Sequence, residues 1–148
     1  MSIKQELLQV CLNHVNKRIY NYNQEIDTIK ESIESNDKSS NEEDDSGHGK
    51  LLNDLEKNMV HLADANKMLD MLNLINPKLK NDKAILGSLV STPRASFFLS
   101  VSVGKIELEH GSYFAISLQS PIGALLKNKE VGEHINFNGT NYTITTII

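Results

Sequence analysis

Two heptad stripes flank an acid-rich break, and no other feature limits the fold of this chain so tightly. On the first, Ile19, Tyr22, Ile26, Ile29 and Ile33 follow a 3, 4, 3, 4 spacing, and Ile3, Leu7, Cys11, Val15 and Ile19 extend it upstream at intervals of four. No Gly or Pro interrupts residues 3–37. At 1.5 Å per residue, a helix over this stretch is about 50 Å long. On the second, Leu52, Leu55, Met59, Leu62, Asn66 and Leu69 repeat the spacing, which predicts a helix over 50–75 that stops before Pro77. Neither stripe can bury itself alone. A short polar connection lets each helix supply the other's core, so the pair reads as an antiparallel coiled-coil hairpin within one chain, and a monomer is expected. Asn66, on the stripe, is a candidate register-setting polar residue.

From residue 84 onward the period changes from helical to two. "SFFLSVSV" (96–103), "KIELE" (105–109), "YFAISL" (113–118), "HINF" (134–137) and "YTITTII" (142–148) read as strands, with Gly111-Ser112 and Asn138-Gly139 offering turn chemistry. "SPIGALL" interrupts them. Ser120 suits an N-cap, Pro121 the first helical position, and Ala124, Leu125 and Leu126 a short helix. The expected architecture is α+β: a coiled-coil hairpin over 1–76 with its acidic tip at 38–49, a linker at 77–83, and over 84–148 a small antiparallel β domain carrying one short helix.

Composition narrows the function. The net charge is −4 and the lysines are scattered, so the chain lacks the basic patch that phosphate neutralisation requires. Direct sequence-specific DNA binding is not expected. Cys11 is the only cysteine, which excludes an internal disulfide and a cysteine zinc site. No apolar run approaches the roughly 18 residues of a membrane span, and "MSIKQELLQV" reads as a helix start rather than a signal peptide. A cytoplasmic chain is expected, with no membrane association. Cys11 lies on the apolar stripe and reads as a packed core cysteine rather than a nucleophile. His14, His48, His61, His110 and His134 show no metal-ligand spacing, and there is neither a phosphate loop nor a nucleophile elbow. Nothing suggests a self-contained enzyme.

The break itself, "SSNEEDDSGHGK" (39–50), holds four consecutive acids, Glu42, Glu43, Asp44 and Asp45. It admits two readings. One is a solvated turn in which Asp45 or Ser46 caps the second helix. The other is an acidic tip at the end of a thin rod. There, carboxylates act as hard oxygen donors for Mg²⁺, with a partner supplying the remaining ligands.

The segment 116–147, "ISLQSPIGALLKNKEVGEHINFNGTNYTITTI", resembles the C-terminal domain of the Gre-type transcript cleavage factors of bacterial RNA polymerase. Ser120, Pro121, Ile122, Gly123, Leu125, Leu126, Lys129, Val131, Gly132 and Glu133 follow that family's pattern in order, with Asn128 where the family usually has Gly. "GSLV" (87–90) and "YFAIS" (113–117) extend the resemblance. It implies an FKBP-like domain that docks on bacterial RNA polymerase through Ser120, Pro121 and Ile122. It also implies a hairpin that enters the polymerase's secondary channel. Asp44 and Asp45, then Glu43 and Glu42, would help hold a Mg²⁺ shared with the polymerase active centre, so that backtracked RNA is cut at its 3′ end. The factor would meet RNA only within that complex, bind no cofactor alone, and stimulate the polymerase's own endonuclease rather than act as an enzyme. FKBP-like shape does not imply prolyl isomerase activity. The tip departs from the family, whose loop resembles Asp-Leu-Ser-Glu-Asn-Ala-Glu-Tyr. Here the acids are adjacent and Tyr is absent, which keeps open a second outcome, a channel-occupying inhibitor.

Overall fold

The computed structural model describes the backbone of residues 1–39 and 45–148 and the side chains of 1–35 and 47–148. Two long helices, α1 (Ile3–Ser39) and α2 (Asp45–Asn73), precede seven strands and one short helix. The chain divides into two compact units, one formed by Met1–His14 with Asp70–Ile148 and the other by Val15–Leu69. Each long helix therefore contributes to both.

Within Val15–Leu69 the helices run antiparallel. Arg18 Nη1 meets Met68 Sδ at 4.0 Å, and four residues further along α1 the Tyr22 ring stacks on His61 at 5.5 Å. Arg18 also donates to the Tyr22 hydroxyl at 3.1 Å and lies 5.8 Å from that ring's centroid. Along α1, Val15, Ile26 and Ile29 are buried and Ile19, Tyr22 and Ile33 half-buried, as the heptad predicts.

The α2 seam differs in phase from the expected stripe. Leu51, Leu55, Asn58, Leu62, Ala65 and Leu69 turn inward at spacings of 4, 3, 4, 3 and 4, whereas Leu52 and Met59 are 46% and 52% exposed and Asn66 is exposed. Leu55, Leu62 and Leu69 belong to both readings, so large apolar side chains alone do not choose between them. Ala65, 1% exposed, is the most deeply buried residue of this face. Asn58 tolerates its half-buried position because its amide donates to the Asp54 carbonyl at 2.8 Å. Asn66 is thus not the polar residue of the seam.

In the other unit α1 opens on a capping box. The Gln5 N–H donates to Ser2 Oγ at 3.2 Å, and the Ser2 N–H to Gln5 Oε1 at 2.9 Å. The strands are β1 (Leu89–Ser91), β2 (Ser96–Leu99), β3 (Gly104–Leu108), β4 (Gly111–Ile116), β5 (His134–Phe137), β6 (Thr140–Thr143) and β7 (Thr146–Ile147). They form a five-stranded sheet, β3-β4-β2-β1-β7, and a separate two-stranded ribbon, β5-β6. The sheet is mostly antiparallel, but β2 and β4 pair in parallel, Phe98 opposite Ala115. The Asn138-Gly139 turn is as expected. Both residues have positive φ, 51° and 80°, the twist a two-residue hairpin requires. The β3–β4 turn uses Glu109 and His110 instead, and Gly111 is the first residue of β4.

Both faces of the sheet are covered. On one, Phe97 and Leu99 join Val90, Leu126, Ile135 and Ile144 in the core, with Ile122 and Tyr142 packed against it. Phe98 and Ser100 alternate to the other face, where Ser100 Oγ lies 3.9 Å from Cys11 Sγ on α1. Leu7, Cys11, Leu72 and Ile75 are buried within this same unit. The ends of the heptad stripes therefore serve the β unit, at about 1.5–3 kcal/mol per buried leucine or isoleucine.

Candidate functional site

The short helix α3 (Pro121–Leu126) is held by its first turn. Ser120 Oγ accepts from the Gly123 N–H at 3.1 Å and donates to the Ser117 carbonyl at 2.6 Å, while the Ser120 N–H reaches Ser117 Oγ at 3.2 Å. Pro121 occupies the opening helical position, where no N–H is needed. Gly123 is buried against this turn. A Cβ there would lie far inside contact distance of the Ser117 carbonyl oxygen and 2.8 Å from Ser120 Oγ. Beyond the helix Asn128 takes the left-handed conformation, φ 64°, and its N–H donates to the Ala84 carbonyl at 2.8 Å. An Asn can stand where a glycine would otherwise serve.

This geometry sorts the expected docking trio. The Ser120 hydroxyl bonds within the cap, and Ile122 is half-buried, packed in part against the core. Pro121 is exposed, and so is Leu125, 40% exposed and one turn further along the same helix face. Leu125 does not belong to the expected trio. Its position four residues after Pro121 was the available signal. Together the two form a small apolar knob on a braced helix.

Of the expected tip acids, Glu42, Glu43 and Asp44 lie outside the described residues. Asp45 opens α2, and its side chain also lies outside them. Among the described residues no group of three or more His, Cys, Asp or Glu side chains is placed to hold a metal ion. Among them, too, no helix is long and apolar enough to cross a membrane.

Cys11 is fully buried. Burial pushes its thiol above the ordinary range, and the Ser100 contact partly opposes that shift. The thiolate is the reactive form, so native Cys11 is expected to resist an aromatic disulfide reagent at pH 8 and to react fully once the chain is unfolded in urea. Rapid labelling of the folded protein would contradict the packed-core assignment.

No protein-family model matches the chain, and no curated protein matches it. Among solved structures, GreA factor homolog 1 (Gfh1) of Thermus thermophilus aligns over 93% of this chain and 94% of its own, with 18% identity and a TM-score of 0.35. An alignment at that level assigns neither family nor function.

Proposed function

We propose that this chain is an accessory factor of bacterial RNA polymerase, of the Gre type, that brings the acids at 42–45 into the polymerase's secondary channel and stimulates cleavage of backtracked RNA. One observation carries the reading. The Ser-Pro-Ile-Gly segment, recognised in the sequence by its likeness to the family, forms a capped and sterically locked helix start in a small β unit, in a chain that also contains an antiparallel helix pair joined across four acids. The tip acids contribute carboxylate donors and position, while the catalytic centre belongs to the polymerase. A bound Mg²⁺ would activate the attacking water and stabilise the phosphoryl transition state.

A second reading is favoured by the tip itself. Four adjacent acids without a tyrosine depart from the family's loop. A channel-occupying regulator that binds without stimulating cleavage would need only the same docking.

Docking is tested by titrating core RNA polymerase with the wild-type chain and with the Pro121→Asp/Leu125→Asp variant. Both positions are exposed, so the variant is expected to keep its circular dichroism spectrum and thermal midpoint. Its affinity is expected to fall by at least about tenfold, or about 1.4 kcal/mol. Undiminished binding would place docking elsewhere on the chain, and no binding by the wild type would refute the reading.

A further inference from the structure

The inward seam uses only part of the apolar surface of α2. Leu52, Met59 and Val60 are 46%, 52% and 55% exposed, and Ala63 is exposed beside them. With Leu55 and Glu56 they border a shallow groove along the helix. A helix with apolar residues on a second arc suits a second partner. The charges on this arc select that partner. Glu56, Val60, Ala63 and Lys67 follow a 4, 3, 4 spacing, so they share one stripe, with an acid at one end, a base at the other and apolar residues between. Lys57 and Asp64 lie along one side of the stripe, and Leu52 and Met59 along the other. All eight residues are exposed. Among the described residues, none of the four charged side chains makes an ion pair.

We propose that this face of α2 pairs with the same face of a second copy of the chain, antiparallel, about a two-fold axis midway between Val60 and Ala63. That axis turns the stripe end for end, and the pattern then complements itself. Glu56 meets Lys67 of the second copy, Val60 meets Ala63, and Lys57 comes beside Asp64, each contact made twice as a two-fold interface requires. Leu52 and Met59 cover the remaining side. A parallel pairing would set Glu56 against Glu56 and Lys67 against Lys67, and like charges at such positions select against it. From Glu56 to Lys67 the stripe is about 17 Å long. So short a contact falls at the low end of interface sizes, and half-dissociation is expected near about 100 μM. Well below that concentration the chain stays the monomer its sequence predicts. The pairing is independent of polymerase binding.

Sedimentation equilibrium of the full chain from about 5 μM to about 1 mM tests the pairing. The wild type is expected to fit a monomer–dimer equilibrium. Val60→Asp and Glu56→Lys are each expected to weaken it at least about tenfold. The charge swap Glu56→Lys/Lys67→Glu, which restores both pairs in the antiparallel register, is expected to return it to within about threefold of the wild type. All three positions are exposed, so the circular dichroism spectra should coincide. A monomer at every concentration would overturn the proposal and leave the face to a different protein. Growth past the dimer would overturn the two-fold arrangement. Undiminished association in Val60→Asp would put the contact elsewhere on the chain. A swap as weak as Glu56→Lys alone would overturn the antiparallel register.

Discussion

Phe98→Ala is expected to lower the free energy of unfolding by about 4 kcal/mol, the largest stability change foreseen for a single side chain here. Phe98 is fully buried at the centre of β2, the middle strand in the order β3-β4-β2-β1-β7. Leu89 stands opposite it on β1 and Ala115 on β4. Its ring points to the sheet face where Ser100 meets Cys11, so truncation leaves a cavity between a sheet and a helix rather than at an edge. Rigid secondary structure on both sides limits collapse, and the cavity term adds to the lost transfer energy. Since a domain's whole stability is about 5–15 kcal/mol, the variant should lose a large share of it. Urea denaturation followed by circular dichroism measures the effect. A loss under about 1.5 kcal/mol would mean that the two elements do not meet over Phe98.

Gly123→Ala is the second. The added methyl has nowhere to go, because the atom it meets is the backbone carbonyl oxygen of Ser117, already fixed by the Ser120 hydroxyl. A backbone oxygen cannot move aside as the end of a flexible side chain can. The cap must open or α3 must shift, at about 3 kcal/mol. Either displacement moves Pro121 and Leu125, so if the proposed docking holds, polymerase binding weakens along with stability. Gly49→Ala is the natural control. No atom of the described residues lies within 4 Å of a Cβ at Gly49, and it sits inside α2, so alanine should be neutral or stabilising by up to about 1 kcal/mol. Equal effects at the two positions would contradict the steric account.

These residues also show how far the sequence could be read. The two long helices were legible because a 3, 4 spacing free of Gly and Pro has few other solutions. The phase of α2 was not, because Leu51 and Leu52, Asn58 and Met59, and Ala65 and Asn66 offer neighbouring stripes of similar pattern. In the structure Ala65 is buried and the Asn58 amide is satisfied by a hydrogen bond to Asp54, so the inward face is the one that carries them. Leu7 and Cys11 continue the hairpin's stripe although they serve the β unit, because an apolar stripe does not state whether its partner is a helix or a sheet. β1 carries no legible strand signal for a related reason. It has three residues, and both Leu89 and Val90 are buried, so no alternation marks it. The parallel pairing of β2 with β4 follows from chain topology, which local periodicity does not encode.

At the candidate site the start of α3 is legible as local chemistry, since Ser120 suits an N-cap and Pro121 the first helical position. Which side chains remain available to a partner was not legible. That depends on the core beneath α3, against which Ile122 packs in part while Leu125 stays exposed.

The central claim is that the acids at 42–45 act inside the polymerase. Its most direct test is an RNA cleavage assay on a backtracked elongation complex made with the cognate polymerase and Mg²⁺, comparing the wild-type chain with the Glu42→Ala/Glu43→Ala/Asp44→Ala/Asp45→Ala variant and measuring binding of each. The account predicts that the wild-type chain speeds cleavage, and that the variant binds as well but leaves cleavage at the polymerase's own rate. Binding without any stimulation by the wild-type chain, together with slowed nucleotide addition that the variant relieves, would contradict it and make the same four acids a plug.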